Sequence, residues 1–224
     1  MEITKEQIQE IDNRLEKNGV KYWDIRIELL DHVVTDVEVR ITKGEIFKEA
    51  VQNSFISLGW NGSFKDITRY RLLDINKIIR KQYFNQVKQF FLSVKYLLGI
   101  VLLIATYFLF FLNTNDKSFG IISIIILLLP VCYSILNHLY LFSTSKKSGY
   151  LLYSSFYIVF SFLFLNIFIQ LFYQKGFILS SVETKKIVLF IVVILNSIFS
   201  LAGILLHLRI SEKIKMIKNK LLSL

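Results

Sequence analysis

Cysteine and proline are almost absent from this chain. Cys132 is its only cysteine, so neither an intrachain disulfide nor a thiol-based metal cluster can form. Pro130 is its only proline, and both residues lie inside one apolar run. Acids are scarce beyond the first third. Residues 1–62 carry 12 acids and 8 bases, residues 63–96 carry 2 and 8, and residues 97–224 carry 3 and 11. The start, Met1-Glu2-Ile3-Thr4-Lys5-Glu6, lacks the apolar core of a signal peptide, so the leading segment is expected to stay on the side where it is made. No G-x-x-x-x-G-K phosphate loop occurs, and no pair of histidines flanks a glutamate at zinc-protease spacing. No Ser–His–Asp order suggests a hydrolase. The chain is therefore read as non-enzymatic, with no catalytic residue, cofactor or metal expected.

What is abundant is apolar. Of 224 residues, 54% are hydrophobic, and the mean hydropathy is +0.51, too high for an ordinary soluble domain. The surplus falls in four runs, at about 90–112, 119–142, 150–173 and 187–208. Each approaches or exceeds the roughly 20 residues that cross a hydrocarbon core. They are apolar all round rather than alternating, which favours helices over a barrel.

The first 62 residues read differently. Thr4 and Gln7 have capping-box spacing; Ile8, Ile11 and Leu15 share a face, and Asn18-Gly19 is a stop signal. From Tyr22 to Thr42, Ile27, Leu30, Val34, Val37 and Ile41 are read as the apolar stripe of a second helix, opposite an acidic face of Asp24, Glu28, Asp31, Thr35 and Glu38. A third helix over 45–58 ends at Gly59. Three helices of this size make a marginal core alone. The head is therefore expected to pack on Phe64, Ile67, Tyr70 and Leu73 of the next segment. That segment opens at Ser63, is rich in bases (Arg69, Arg71, Lys77, Arg80, Lys81, Lys88, Lys95), and meets no glycine before Gly99. It reads as one long helix running from the cytoplasm into the bilayer.

The fold class expected is thus all-α: a small helical cytoplasmic head (1–62), a basic juxtamembrane helix (63–89) continuous with the first span, a four-helix transmembrane bundle (90–208), and a basic cytoplasmic tail (209–224). In that tail Ile210, Ile214, Ile217 and Leu221 share a face. Bases at the span ends place both termini in the cytoplasm and the protein in the inner (cell) membrane as a multi-pass protein. Lys175, Lys185 and Lys186 dissent, because their link falls outside. The basic balance sits beside the membrane part, so the bilayer and its anionic headgroups are the expected partners, not nucleic acid.

Two sets of residues are candidates for function. Asp24, Glu28, Asp31, His32 and Glu38 form the first. Glu28 and His32 are four apart, a spacing that suits a metal or an acid–base pair, a solvated acidic face, or a dock for a basic partner, including the chain's own 69–81. Docking is the preferred reading. Asn137, His138, Asn166, Gln170 and Asn196 form the second set. Amides in lipid usually join helices, and a polar path for a transported solute is the sharper reading. Against that path, no acid or base sits at a span centre. Aromatic residues at the ends of the third run suit an interfacial belt.

The run Tyr22-Trp23-Asp24-Ile25-Arg26-Ile27-Glu28-Leu29-Leu30-Asp31-His32, then Glu38, Ile46-Phe47-Lys48-Glu49-Ala50 and Leu58-Gly59, resembles the helical head of bacterial membrane proteins of uncharacterised role. More distantly it is similar to the HAAS-type cytoplasmic head. The resemblance covers about residues 20–60. It implies a membrane-bound partner of a regulator and brings no catalytic residue with it. The function expected is a membrane-anchored regulatory or partner-binding module, with self-association open. The alternative is a transport component or small permease subunit.

Overall fold

A computed structural model describes residues 3–143, 147–174 and 182–222, without the side chains of 140–143, 164, 165, 167–174 and 218–222. All regular structure among the described residues is helical, in eight helices: α1 Lys5–Lys17, α2 Trp23–Thr42, α3 Phe47–Ser57, α4 Lys65–Leu92, α5 Val94–Asn113, α6 Asp116–Ser143, α7 Gly149–Gln174 and α8 Val182–Leu222. Among the described residues, three helical regions are long and apolar enough to cross a membrane: Val94–Asn113, Asp116–Leu139 and Val182–Ile217. The chain forms two compact units, residues 1–77 with 144–150, and residues 78–143 with 151–224.

In the first unit, local signals set the helix ends. The Thr4 hydroxyl accepts from the Gln7 N–H while the Gln7 side chain accepts from the Thr4 N–H, closing the expected capping box. At the other end of α1, Gly19 takes φ +106°. Its N–H reaches the Glu16 carbonyl, and the Val20 N–H reaches Leu15, a Schellman closure that a left-handed glycine permits. Gly59 repeats this after α3 at φ +87°, with Trp60 bonded back to Phe55. Ile11, Leu15, Val20, Val51, Phe55 and Phe64 are almost fully buried.

The buried stripe of α2 is Ile25, Leu29, Val33 and Val37, which corrects the reading of Ile27, Leu30, Val34, Val37 and Ile41. Apolar residues cover a wide arc of this helix, and two stripes compete. The one at strict steps of four meets α1 and α3, while Ile27, Leu30, Val34 and Ile41 stay half-buried at its edge. Ion pairs lock the same contacts. Arg26 on α2 bonds Asp12 at 2.9 Å and Glu16 at 3.0 Å on α1. Arg40 bonds Asp36 at 2.8 Å and, just before α3, Glu45 at 3.3 Å. Burial opposes ionisation of Asp36, but Arg40 with the Ser54 and Ser57 hydroxyls outweighs it and holds the carboxyl below its ordinary value.

Two further expectations about the basic segment fail. Phe64 is buried as expected, but Tyr70 (68% exposed) and Leu73 (45%) are not core residues; Thr68 and Ile75 are buried instead. The helix is also not continuous with the apolar Val94–Asn113. Ser93 takes an extended conformation (φ −93°, ψ 123°), and α5 starts afresh at Val94. Gly99, the first glycine of that stretch, lies inside α5. Serine is well suited to such a junction because it favours N-cap geometry over helix interior.

In the second unit, α5 and α6 meet through Tyr107, whose hydroxyl lies 2.6 Å from that of Ser123 and whose ring stacks on Phe190 of α8 at 5.1 Å. α6 runs unbroken through Pro130. α7 and α8 run antiparallel, as Ser154 pairs with His207 and Ser161 with Asn196. Between these pairs they touch at Gly203, where a Cβ would lie 2.5 Å from the Tyr157 carbonyl oxygen and 2.8 Å from Ile158 Cα. α8 spans 41 residues, about 60 Å at 1.5 Å per residue and roughly twice a hydrocarbon core. The tail is therefore the continuation of α8. Ile210 is buried there and Ile217 is exposed, while the Leu221 side chain lies outside the described residues.

Candidate functional site: an anchored acidic face and an interhelical polar seam

The acidic face of α2 is partly occupied within its own unit. Asp24, in the first turn, accepts four hydrogen bonds. Its Oδ1 takes the N–H of Ile25 at 3.0 Å and of Gly149 at 3.1 Å. Its Oδ2 takes the Ser148 hydroxyl at 2.7 Å and the Tyr150 N–H at 3.2 Å. The Trp23 N–H donates to the Lys147 carbonyl at 3.0 Å. The carboxylate thus caps the first turn of α7 from another helix, satisfying N–H groups that have no partner inside α7 and meeting the positive end of its dipole. Gly149 allows the approach, since a Cβ there would come within 2.9 Å of Leu72 Cδ2 and 3.0 Å of Ile75 Cδ1.

Glu28 pairs with Arg71 at 3.2 Å, and Glu38 accepts the Ile3 N–H at 3.2 Å. Asp31 and His32 stay exposed. The five nominated residues therefore divide into three with partners inside the unit and two that face outward. No three His, Cys, Asp or Glu side chains converge as a metal site among the described residues.

The second set lies on α6, α7 and α8. Asn137 meets His207 Nε2 at 2.9 Å, and Ser154 meets His207 Nδ1 at 2.9 Å. A neutral ring satisfies both: the Asn137 amide donates to Nε2, and Nδ1–H donates to the Ser154 hydroxyl, which donates to the Leu151 carbonyl. Further along, the Ser161 hydroxyl lies 2.9 Å from Asn196 Oδ1 and 3.1 Å from the Ser200 hydroxyl. Asn196 is fully buried, and its Nδ2 finds no partner among the described residues. Asn137 and Asn196 thus enter the seam. His138 and Asn166 are exposed, and the Gln170 side chain lies outside the described residues.

Sequence reading missed His207, Ser154 and Ser161. The available signal was position: His207 is four residues beyond Gly203, where the helices come closest, and the serines recur at a step of seven on α7. A groove of about 310 Å³ among α5, α6 and α8 is lined by Leu103, Tyr107, Phe110, Ile126 and Val193, with Thr106 and Ser197 among its few polar residues. The seam residues do not line it.

Comparison with known proteins yields no match to a family model, a curated protein or a solved structure.

Proposed function

We propose that this chain is a non-enzymatic, multi-pass membrane protein whose acidic helical head is a regulatory, partner-binding module in the cytoplasm. α7 is read as a fourth crossing beside the three apolar spans. It is helical over 26 residues, long enough for a hydrocarbon core. Both termini are placed in the cytoplasm by the bases flanking the spans. The dissenting Lys186 has a local explanation: its ammonium bonds Asp116 at 3.2 Å and the Thr114 carbonyl at 3.2 Å, and lies 4.7 Å from the Phe111 ring centre. A lysine neutralised by its own chain carries little topological weight.

One observation carries the head reading, namely the Asp24 cap. The α2 helix that presents Asp31 and His32 outward also holds the first turn of α7. A partner that shifts α2 therefore changes the energy of that cap. The resemblance to HAAS-type heads agrees with this role. The test is in-cell photocrosslinking from position 31 with Asp24 intact. A single reproducible protein adduct, lost in the His32→Glu background, is the expected result. Adducts to lipid or to a second copy alone would sink the reading.

The alternative is a transport component. Its supporting observation is the open Asn196 donor inside the α7–α8 contact. Asn196→Leu would abolish flux in that case, whereas the regulatory reading expects the variant to keep full partner capture.

A further inference from the structure

Within the second unit, the part of α4 from Ile78 to Leu92 has two faces with different uses. Ile79, Tyr83, Val87 and Phe90 are buried. Tyr83 fixes that face in place: its ring lies 4.9 Å from Tyr157 on α7, and its hydroxyl donates to the Phe199 carbonyl on α8 at 3.3 Å. On the opposite side Arg80, Lys81, Phe84, Lys88, Phe91 and Leu92 are exposed. Arg80, Phe84, Lys88 and Phe91 follow one another at steps of four, four and three, which puts them on one stripe. Phe84 is 50% exposed, Phe91 54% and Leu92 71%. No acid occurs between Asp74 and Asp116. The break at Ser93 follows at once, and beyond it begins the apolar Val94–Asn113.

This mixture suits neither uniform solvent. Phenylalanines and a leucine clustered in water would form an apolar patch that monomeric soluble proteins avoid. Bases buried in hydrocarbon would be costly without partners. Both residue types are favourable at the boundary, where aromatic rings enter the acyl edge and long basic side chains reach phosphates. Had α4 continued straight into α5, this stripe would have pointed along a span. The Ser93 break makes it a separate surface beside the first span.

We infer that the outer face of α4 from Arg80 to Leu92 is a binding surface for anionic phospholipid headgroups. Arg80, Lys81 and Lys88 contact the phosphates, and Phe84 and Phe91 insert at the acyl boundary. Tyr83, on the opposite face, couples this lipid contact to α7 and α8. The inference rests on the membrane placement of the chain and not on what the head binds.

The test uses the full chain with Cys132→Ser, since Cys132 is exposed. Nitroxides are attached at Phe84→Cys or Phe91→Cys, with Lys48→Cys on α3 as the aqueous reference. The protein is placed in nanodiscs of phosphatidylcholine with and without phosphatidylglycerol. Labels at 84 and 91 are expected to favour collisions with oxygen over a water-soluble nickel chelate, and the label at 48 the reverse. In a second arm, lipids retained by the purified protein are counted by native mass spectrometry. The Arg80→Gln/Lys81→Gln/Lys88→Gln variant should lose its preference for phosphatidylglycerol by at least tenfold, given about fivefold per base. Arg80→Lys with Lys88→Arg should keep it. Labels at 84 and 91 as water-accessible as the one at 48 would overturn the inference. So would an unchanged lipid preference in the neutral variant, or spin–spin coupling showing a second copy on the face. Crosslinking from position 31 is read separately, so either idea can fail alone.

Discussion

The two units use different polar links between their elements. In the unit that holds the head the buried polar side chains, Ser54, Thr68 and Ser148, are neutral, but the links between its elements include ion pairs: Arg26 with Asp12 and Glu16, and Arg40 with Glu45. In the other unit they are mostly neutral: Asn137, Ser154 and His207, then Ser161, Asn196 and Ser200. The ion pair there, Lys186 with Asp116, sits where α5 turns into α6 and α8 begins. On the membrane reading proposed above, the difference follows from the solvent each unit meets. Water close at hand makes a half-buried ion pair affordable, whereas lipid makes any charge costly and leaves short neutral bonds and close backbone approach as the means of joining helices.

Glycine substitutions should break this contrast most sharply. At Gly203 an added Cβ meets backbone atoms of Tyr157 and Ile158, which can move only if α7 moves. Gly203→Val is expected to destabilise the membrane unit by ~3 kcal/mol or more, the upper end for overpacking. At Gly149 the obstacles are the tips of Leu72 and Ile75, which can rotate aside, so Gly149→Ala should cost only about 1 kcal/mol. Thermal unfolding in detergent, followed by helical circular dichroism, measures the first. The second is read from tryptophan fluorescence, because Trp23 and Trp60 are the only tryptophans and both lie in the first unit. Equal costs at the two glycines would mean that the close approach at Gly203 is not what holds α7 to α8.

Asp24 tests the charged half of the comparison. Asp24→Ala removes an acceptor from three donors at the start of α7 and leaves the buried Ser148 hydroxyl short of that bond. A loss of about 2 kcal/mol is expected in the tryptophan-detected transition, as for a strong cap with a charge-assisted bond. Asp24→Asn, which keeps one acceptor, should lose less. No change on either substitution would remove the mechanical link on which the head reading depends.

The neutral half predicts smaller numbers. His207→Leu takes the imidazole from Asn137 and from Ser154, which keeps its bond to the Leu151 carbonyl, and should cost about 1–2 kcal/mol. Asn196→Leu removes one bond but also a buried amide whose Nδ2 is unpaired, so its effect on thermal unfolding should stay within about 1 kcal/mol. A large loss at Asn196 instead would point to a group bound there.

Much of the fold was legible because strong local signals wrote it. The capping box at Thr4, the glycine stops at Gly19 and Gly59, and the long apolar runs needed no tertiary information. The α2 stripe was misread because two apolar arcs compete on that helix and only its neighbours decide between them. The break at Ser93 was missed because serine is a weak stop, with no proline or glycine beside it. The candidate sites were half legible. Asp24 was named for its charge, but its four donors come from residues 25 and 148–150, a pairing across more than 120 positions that no spacing rule reaches. His207 escaped because its partners sit on two other helices.

The finest test of the comparison is acid. Asp36 should respond to pH, since its carboxyl titrates below the ordinary 3.8 in the folded head: Arg40, Ser54 and Ser57 together outweigh burial, the largest single influence, which opposes ionisation. A carboxyl with a lower pKa folded than unfolded contributes stability that is fully present above the unfolded value and fades as pH falls through the folded one. The head should therefore lose a small part of its stability as pH falls below the ordinary 3.8, and Asp36→Asn should flatten that part of the profile. The size is modest because Asp36 remains 36% exposed and solvent screens its pair with Arg40. The α7–α8 contact carries no carboxylate among its seam residues, and His207 is the titratable group there, so in a His207→Gln background its unfolding should not shift over the same acid range. An acid-sensitive membrane unit with a flat head profile would invert the assignment of charged pairing to one region and neutral pairing to the other.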